Sequence, residues 1–259
     1  MLVSVPNVSE GRNQQTLERL AAAFQPVYWS ADADHNRAVF TLVGNPGELH
    51  RQVLKGVDEA IARIDLRHHE GVHPRVGAVD VAPIVFLDET QRGAACAEAL
   101  VLADEIGRLG VPVYLYGELG GGRTRAELRR PGGLGTPDFG PHELHPTAGA
   151  TLVAARPPLV AFNVEIDAPL ATAKEIAKRL RDELDVRALG LQLTHTVQVS
   201  TNIEDPTRTT AAQVVEAVRR HAKVTGAELV APAPRAALDN FPEDVPLRGP
   251  APLEDHLPS

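Results

Sequence analysis

The order of apolar periodicities predicts an α/β (α+β) chain of two consecutive β-α-β-β-α-β units. Two observations carry that prediction. Residues 1–87 run strand, helix, strand, strand, helix, strand. Residues 159–231 repeat the order with shorter connections, as a split β-α-β unit requires. In the first half, residues 2–5 read as a short strand ended by Pro6. Over 14–24, Leu17, Leu20, Ala21 and Phe24 fall on one helical face. Residues 27–31 and 38–43 are β-branched and aromatic enough for strands, with the polar turn 32–37 between them. Asn45-Pro46 reads as a helix start, an N-cap followed by proline at N1. Leu49, Val53, Val57, Ala60, Ile61 and Ile64 continue that helix, and 78–87 reads as a buried strand.

In the second half, 159–166, 186–193, 196–203 and 227–231 read as strands, with helices at 170–184 and 209–222. Between the halves, a helix over 89–109 is closed by Gly110 and followed by a strand at 111–116. Glycine-rich loops at 120–122 and 131–135 then flank a short basic helix at 124–130. The expected division is 1–157 and 158–231, each a ferredoxin-like subdomain with its helices on one face of the sheet. Residues 232–259 hold seven prolines and are expected to form an extended or disordered tail.

Hydrophobic residues at 43% and charged residues at 23% are ordinary for a globular protein, so a sizeable core is available. A formal charge of −8 argues against nucleic acid or an anionic membrane as partner. The single cysteine, Cys96, allows no internal disulfide and falls within a helix, where a buried inert thiol is the expected role. No 18-residue apolar run and no signal-like start are present, which predicts a soluble cytoplasmic protein.

Four segments carry more side-chain chemistry than turns require. VPNVSEGRN at 5–13 is either a strand end, loop and N-cap, or a hydrogen-bonding set of Asn7, Ser9 and Glu10 beside a ligand. DADHNR at 32–37 is a well-made turn, with His35 and Arg37 as solvated side chains. In RHHEGVHPRVGAVD at 67–80, His69 and His73 have the spacing of a helical zinc pair. Gly71 and Pro74 oppose a helix there and no thiolate is near, so no metal is expected. His73 is either a satisfied structural histidine or an acid/base group, imidazole being the side chain that titrates near neutrality. Pro74 would fix its backbone, Gly71 and Gly77 would allow close approach, and Arg75 offers a fork for a carboxylate. Tyr114 and Tyr116, in PVYLYGE, share one face of a strand and suit a core or a sheet surface. Gly120–Gly122 fits neither a dinucleotide loop nor a P-loop, so nucleotide binding is not expected.

Taken in order, VPNVSEGRN, DADHNRAVFTLVG, HPRVGAVDVAP, VPVYLYGE, PDFGPHELHPTAGAT, VAFNVEI and VQVSTNIED resemble the formiminotransferase domain of formiminotransferase-cyclodeaminase and of stand-alone glutamate formiminotransferases. The resemblance runs from residue 5 to about residue 205. It implies two ferredoxin-like subdomains whose sheets face a ligand cleft, and a homodimer. The implied reaction moves a formimino group from N-formimino-L-glutamate to tetrahydrofolate as co-substrate, with no metal. His73 falls on the family's catalytic histidine. The expected substrate-binding set is Asn7, Ser9, Glu10, Asn36, Arg37, Arg75, Gly77, Asp80 and Tyr116, with Arg37 and Arg75, by their charge and position, expected to hold carboxylates of either substrate. At 259 residues, no cyclodeaminase portion is expected.

Three features depart from the family's pattern. Val72 stands where many relatives have Glu before the histidine. Ser30 falls where relatives carry the second Asp of a DVD sequence, unless a small shift brings Asp32 there. The region after YGE is short and glycine-rich. These departures keep two alternatives open, a one-carbon transferase with a different donor and a non-catalytic folate-binding protein.

Overall fold

A proline sets the geometry of the first sheet. Pro6 lacks an N–H and breaks the expected strand at 2–5 into two pieces, β1 (Leu2–Ser4) and β2 (Asn7–Val8). The computed structural model, which describes residues 1–258, shows both pieces lying between β4 (Arg37–Gly44) and β5 (Val79–Phe86), antiparallel to each. The Pro6 carbonyl still takes the Phe40 N–H at 3.0 Å, so the ladder continues through the break. Outside β4 lies β3 (Tyr28–Asp32). On the other side, β5 runs parallel to β7 (Thr151–Arg156), and β7 parallel to β6 (Val113–Leu115). The order across the sheet is therefore β3, β4, β1/β2, β5, β7, β6.

Strand β7 had no counterpart in the sequence reading. Its stretch TLVAAR is buried on both faces, so it shows no alternation to read, which is usual for an internal parallel strand.

Helices α1 (Gln14–Phe24), α2 (Leu49–Arg63) and α3 (Arg92–Arg108) bury Leu17, Leu20, Phe24, Val53, Val57, Leu102 and Ile106 against Phe40, Leu42 and Ile84 of the sheet. Fully burying such side chains stabilises the fold by about 1.5–3 kcal/mol each before entropy is counted. Asn13 caps α1, its side chain accepting from the Thr16 N–H at 3.0 Å. The expected start of α2 at Asn45-Pro46 is displaced to Leu49, and Glu48 at its N-cap makes no capping bond. The carboxylate of Glu98 on α3 supplies the cap instead, accepting from Gly47 and His50 N–H groups at 2.7 Å each. The helix expected over 89–109 begins as a 3-10 turn, Glu89–Gln91, under an Asp88 cap.

The chain divides into two compact units, Met1–Pro157 and Pro158–Ser259. In the second, β8 (Val160–Asp167), β10 (Val197–Ile203) and β9 (Val186–Gln192) form antiparallel ladders, and β11 (Lys223–Leu229) pairs with the other edge of β8. Helices α5 (Leu170–Glu183) and α6 (Ala211–Arg219) cover Val160, Phe162, Val164 and Ile166. The stretch read as a tail is structured: β12 (Leu247–Arg248) adds to β11 in parallel, and Ala233, Ala237 and Val245 are buried in this second core. Among the described residues no helix is long and apolar enough to cross a membrane.

Candidate active site on the face opposite the helices

The face of the first sheet turned away from α1–α3 collects most of the chemistry singled out above. Arg37 and Val39 project to it from β4 while Ala38 and Phe40 face the helices, as strand alternation requires. Asn7 lies opposite Val39 in register, and its Oδ1 takes the Arg37 Nε–H at 2.9 Å. A register irregularity separates Asn7↔Val81 from Val8↔Val79. The extra residue in that interval is Asp80, and such a bulge re-aims a side chain.

Asp80 is fully buried, and two guanidinium groups enclose it. Arg37 Nη1 lies 2.8 Å from Oδ2, and Arg129 reaches both carboxylate oxygens through Nε and Nη2. The Val76 N–H adds a bond to Oδ1 at 2.9 Å. Burial alone would raise the Asp80 pKa, but Arg129 and Arg37 outweigh it and hold the carboxyl well below its ordinary range. Burial conversely lowers the Arg37 pKa to about 10 against the attraction of Asp80. Arg129 follows α4 (Arg125–Leu128), whose Leu128 packs with Val81, Tyr114, Tyr116 and Leu152 on this face.

His73 stands half-buried on the loop that enters β5. Its Nδ1 lies 2.8 Å from the Pro74 carbonyl. A carbonyl only accepts, so Nδ1 carries the proton and Nε2 presents a lone pair. Burial lowers its pKa well below the ordinary value, and Arg37 and Arg129 push it further down against Asp80. Near pH 7 this imidazole is therefore neutral and able to accept a proton. The His35 ring stacks on it, with centroids 6.0 Å apart. An open depression of about 600 Å³ is lined here by Leu66, His69, Glu70, His73, Arg75 and Val76, among others.

Several of the expected ligand-binding groups make bonds that hold the loops. Arg75 was expected to fork a carboxylate. Its Nη1 donates to the Asn36 carbonyl at 3.0 Å, and its Nη2 to the carbonyls of His35 at 2.9 Å and His73 at 2.8 Å. That guanidinium is committed to backbone, with the His69 ring also against it at 2.7 Å. Burial, and then a guanidinium so close, disfavour a cation on His69. Asn36, at φ +46°, takes the Gly11 N–H and donates to the Glu70 carbonyl. The buried Ser9 hydroxyl donates to the Gly77 carbonyl at 2.7 Å, and Glu10 accepts from the Arg12 and Asn13 N–H groups. Gly77 is dictated by close approach, since a Cβ there would lie 1.7 Å from the Ala150 carbonyl oxygen.

Tyr116 is buried beneath the Arg125 guanidinium, 5.7 Å from its ring centre. Among the described residues its hydroxyl has no hydrogen-bond partner. Of the two positions offered for the family's acidic residue, Ser30 pairs with Val39 and so shares the row that holds Asn7. The Asp32 carboxylate is occupied in its turn, accepting the His35 N–H at 2.7 Å. Val72 is 45% exposed beside His73.

Arg129 was missed at the level of sequence. Its only signal was indirect: an aspartate inside an apolar strand must find cations, and Arg37 is only one.

Comparisons with known proteins place the chain among others. Residues 1–156 match the model of the formiminotransferase domain, N-terminal subdomain. A glutamate formimidoyltransferase of Streptococcus pyogenes serotype M1 is 34% identical over 92% of this chain and 91% of its own. One from Thermoplasma acidophilum is 31% identical over 90% of this chain and 88% of its own. The formimidoyltransferase-cyclodeaminase of Sus scrofa is 36% identical over 90% of this chain, which spans half of that longer protein. With the family's domain matched over more than half the chain and these identities extending across both units, the chain belongs to the formiminotransferase family.

Proposed function

We propose that the protein is a glutamate formimidoyltransferase, moving a formimino group from N-formimino-L-glutamate to tetrahydrofolate and releasing 5-formiminotetrahydrofolate and L-glutamate, within histidine degradation and one-carbon metabolism. The observation that carries the reading is His73, whose Nδ1 is held against the Pro74 carbonyl and whose Nε2 lone pair is unspent, on the loop that carries the G-x-H-P-R sequence. The stand-alone relatives named glutamate formimidoyltransferase, covered for about nine-tenths of their length, support the same reaction. Likeness to that family extends the reading to a homodimer.

The chemistry asks for one group that accepts a proton and then returns it. Attack by the folate N5 on the formimino carbon forms an N–C bond and makes N5 acidic. His73 Nε2 takes that proton. The resulting imidazolium gives it to the glutamate nitrogen as the old C–N bond breaks, so the histidine ends as it began. The fixed Nδ1–H holds the ring in the tautomer this needs, and a base so placed contributes about 10²–10⁴-fold in rate. Asn36, Ser9, Glu10 and Arg75 act by shaping the loops that carry His73 and Arg37.

Turnover of the wild type against His73→Ala, with calorimetric titration of tetrahydrofolate, tests the reading. Transfer should fall by about 10²–10⁴-fold while folate affinity stays within several-fold. Equal turnover in the two proteins would remove His73 from the mechanism. A folded wild type that bound folate without transferring the group would leave a binding protein instead.

A further inference from the structure

Two guanidinium groups share the Asp80 carboxylate, so the trio of Asp80, Arg37 and Arg129 carries one net positive charge in a mostly buried place. Their side chains are 0%, 8% and 13% exposed. Arg37 Nη1 touches Asp80 by distance, yet among the described residues it has no aligned hydrogen-bond partner. Buried N–H groups left so are costly, and a second anion would relieve both the charge and the missing bond. Arg75 is less free to serve that anion, because its Nη atoms already face three carbonyls. Arg129 uses only Nε and Nη2 on Asp80, which leaves its fork incompletely committed.

We infer that Arg129, with Arg37, forms the clamp for the α-carboxylate of the formimino donor, and that Asp80 fixes the separation and orientation of the two guanidiniums. The proposal rests on the reaction proposed above and names which group holds the donor. Simple chemistry favours the donor over folate. In N-formiminoglutamate the α-carboxylate carbon is three bonds from the reacting carbon, so a site near His73 must meet it. The carboxylates of tetrahydrofolate lie beyond its p-aminobenzoyl ring, far from N5. The loop of the base is tied to this trio, since the Val76 N–H, three residues beyond His73, bonds Asp80 Oδ1 at 2.9 Å.

The test is steady-state kinetics of Arg129→Gln, Arg129→Lys and an exposed control, Arg130→Gln, with KM measured separately for each substrate. Arg129→Gln should raise the donor KM about ten- to a hundredfold, the worth of a charge-assisted hydrogen bond, and leave the tetrahydrofolate KM within about threefold. Arg129→Lys should recover part of the loss, and Arg130→Gln should behave as wild type. A donor with its α-carboxylate converted to the amide should bind wild type poorly and be insensitive to Arg129→Gln. If Arg129→Gln fails to fold, Arg129→Lys carries the test, since it keeps a cation on Asp80 while losing the fork.

An unchanged donor KM would overturn the proposal, and a rise confined to tetrahydrofolate would transfer the clamp to the folate glutamate. Calorimetry with N-formiminoglutamate alone separates the proposal from the reaction. Binding lost in Arg129→Gln would support the clamp even in a protein without turnover. A wild type that neither binds nor transfers would overturn both.

Discussion

At His73 the surrounding charges decide at which pH the base is available. Burial and the guanidiniums of Arg37 and Arg129 depress its pKa, while Asp80 opposes them. The imidazole must be deprotonated to act, so the acidic limb of kcat/KM should fall below about pH 6.5, the ordinary histidine value. Removing a cation favours the protonated ring, and Arg37→Gln should therefore move that limb to higher pH while lowering the plateau. A limb that stayed in place would show that Arg37 does not reach the base. The histidine itself was legible as a type: an imidazole between Gly71 and Pro74 reads as either structural or catalytic. What remained hidden was the disposition of individual N–H groups. Arg75 and Arg37 look equivalent in a sequence. In the fold, one spends its Nη atoms on three carbonyls and the other is held by Asn7 and Asp80.

At the level of elements, most helices and strands could be read because their apolar spacing repeats, and the exceptions have physical causes. Strand β7 has no polar face to give it a period. The start of α2 escaped because its cap comes from a residue about fifty positions away. Glu98 is buried and accepts from two N–H groups of that helix start, and His50 Nδ1 lies 2.8 Å from the same carboxylate. Burial would raise the Glu98 pKa, but these bonds outweigh it and lower it. The contribution is therefore present above the unfolded carboxyl pKa and is lost as pH falls through the lower folded value. Glu98→Ala should cost about 2–4 kcal/mol by denaturant unfolding at neutral pH, leaving two N–H groups and an imidazole uncapped in the interior. The cost should shrink in acid. A loss below about 0.5 kcal/mol would mean that the turn at Asn45 holds the helix start without it.

Across the whole molecule, composition misled where topology decides. Seven prolines in the last 28 residues suggested an extended tail, and its regular structure is confined to two 3-10 turns, Arg235–Leu238 and Leu253–His256, and the two residues of β12. Its apolar residues nonetheless complete a core. Phe241 meets the Phe162 ring edge-on at 6.1 Å, Val245 and Ala237 are buried, and the Leu253 N–H bonds to the Ala233 carbonyl at 2.8 Å. Arg248 reaches Glu165 of β8 at 2.6 Å, and β12 covers the edge that β11 would otherwise present. Prolines suit this task, because a covering segment needs few N–H donors and loses less entropy when fixed. A chain ended after Ala231 should therefore unfold at lower temperature and self-associate, since an uncovered β11 offers a row of unpaired backbone groups to a second copy. Val245→Ala is the milder form of the same test, costing about 1–2 kcal/mol through the cavity it leaves without exposing the edge. Lower stability in both variants, with self-association only in the truncated one, would separate the tail's two roles. An unchanged melting temperature after truncation would show that the second core closes without these residues.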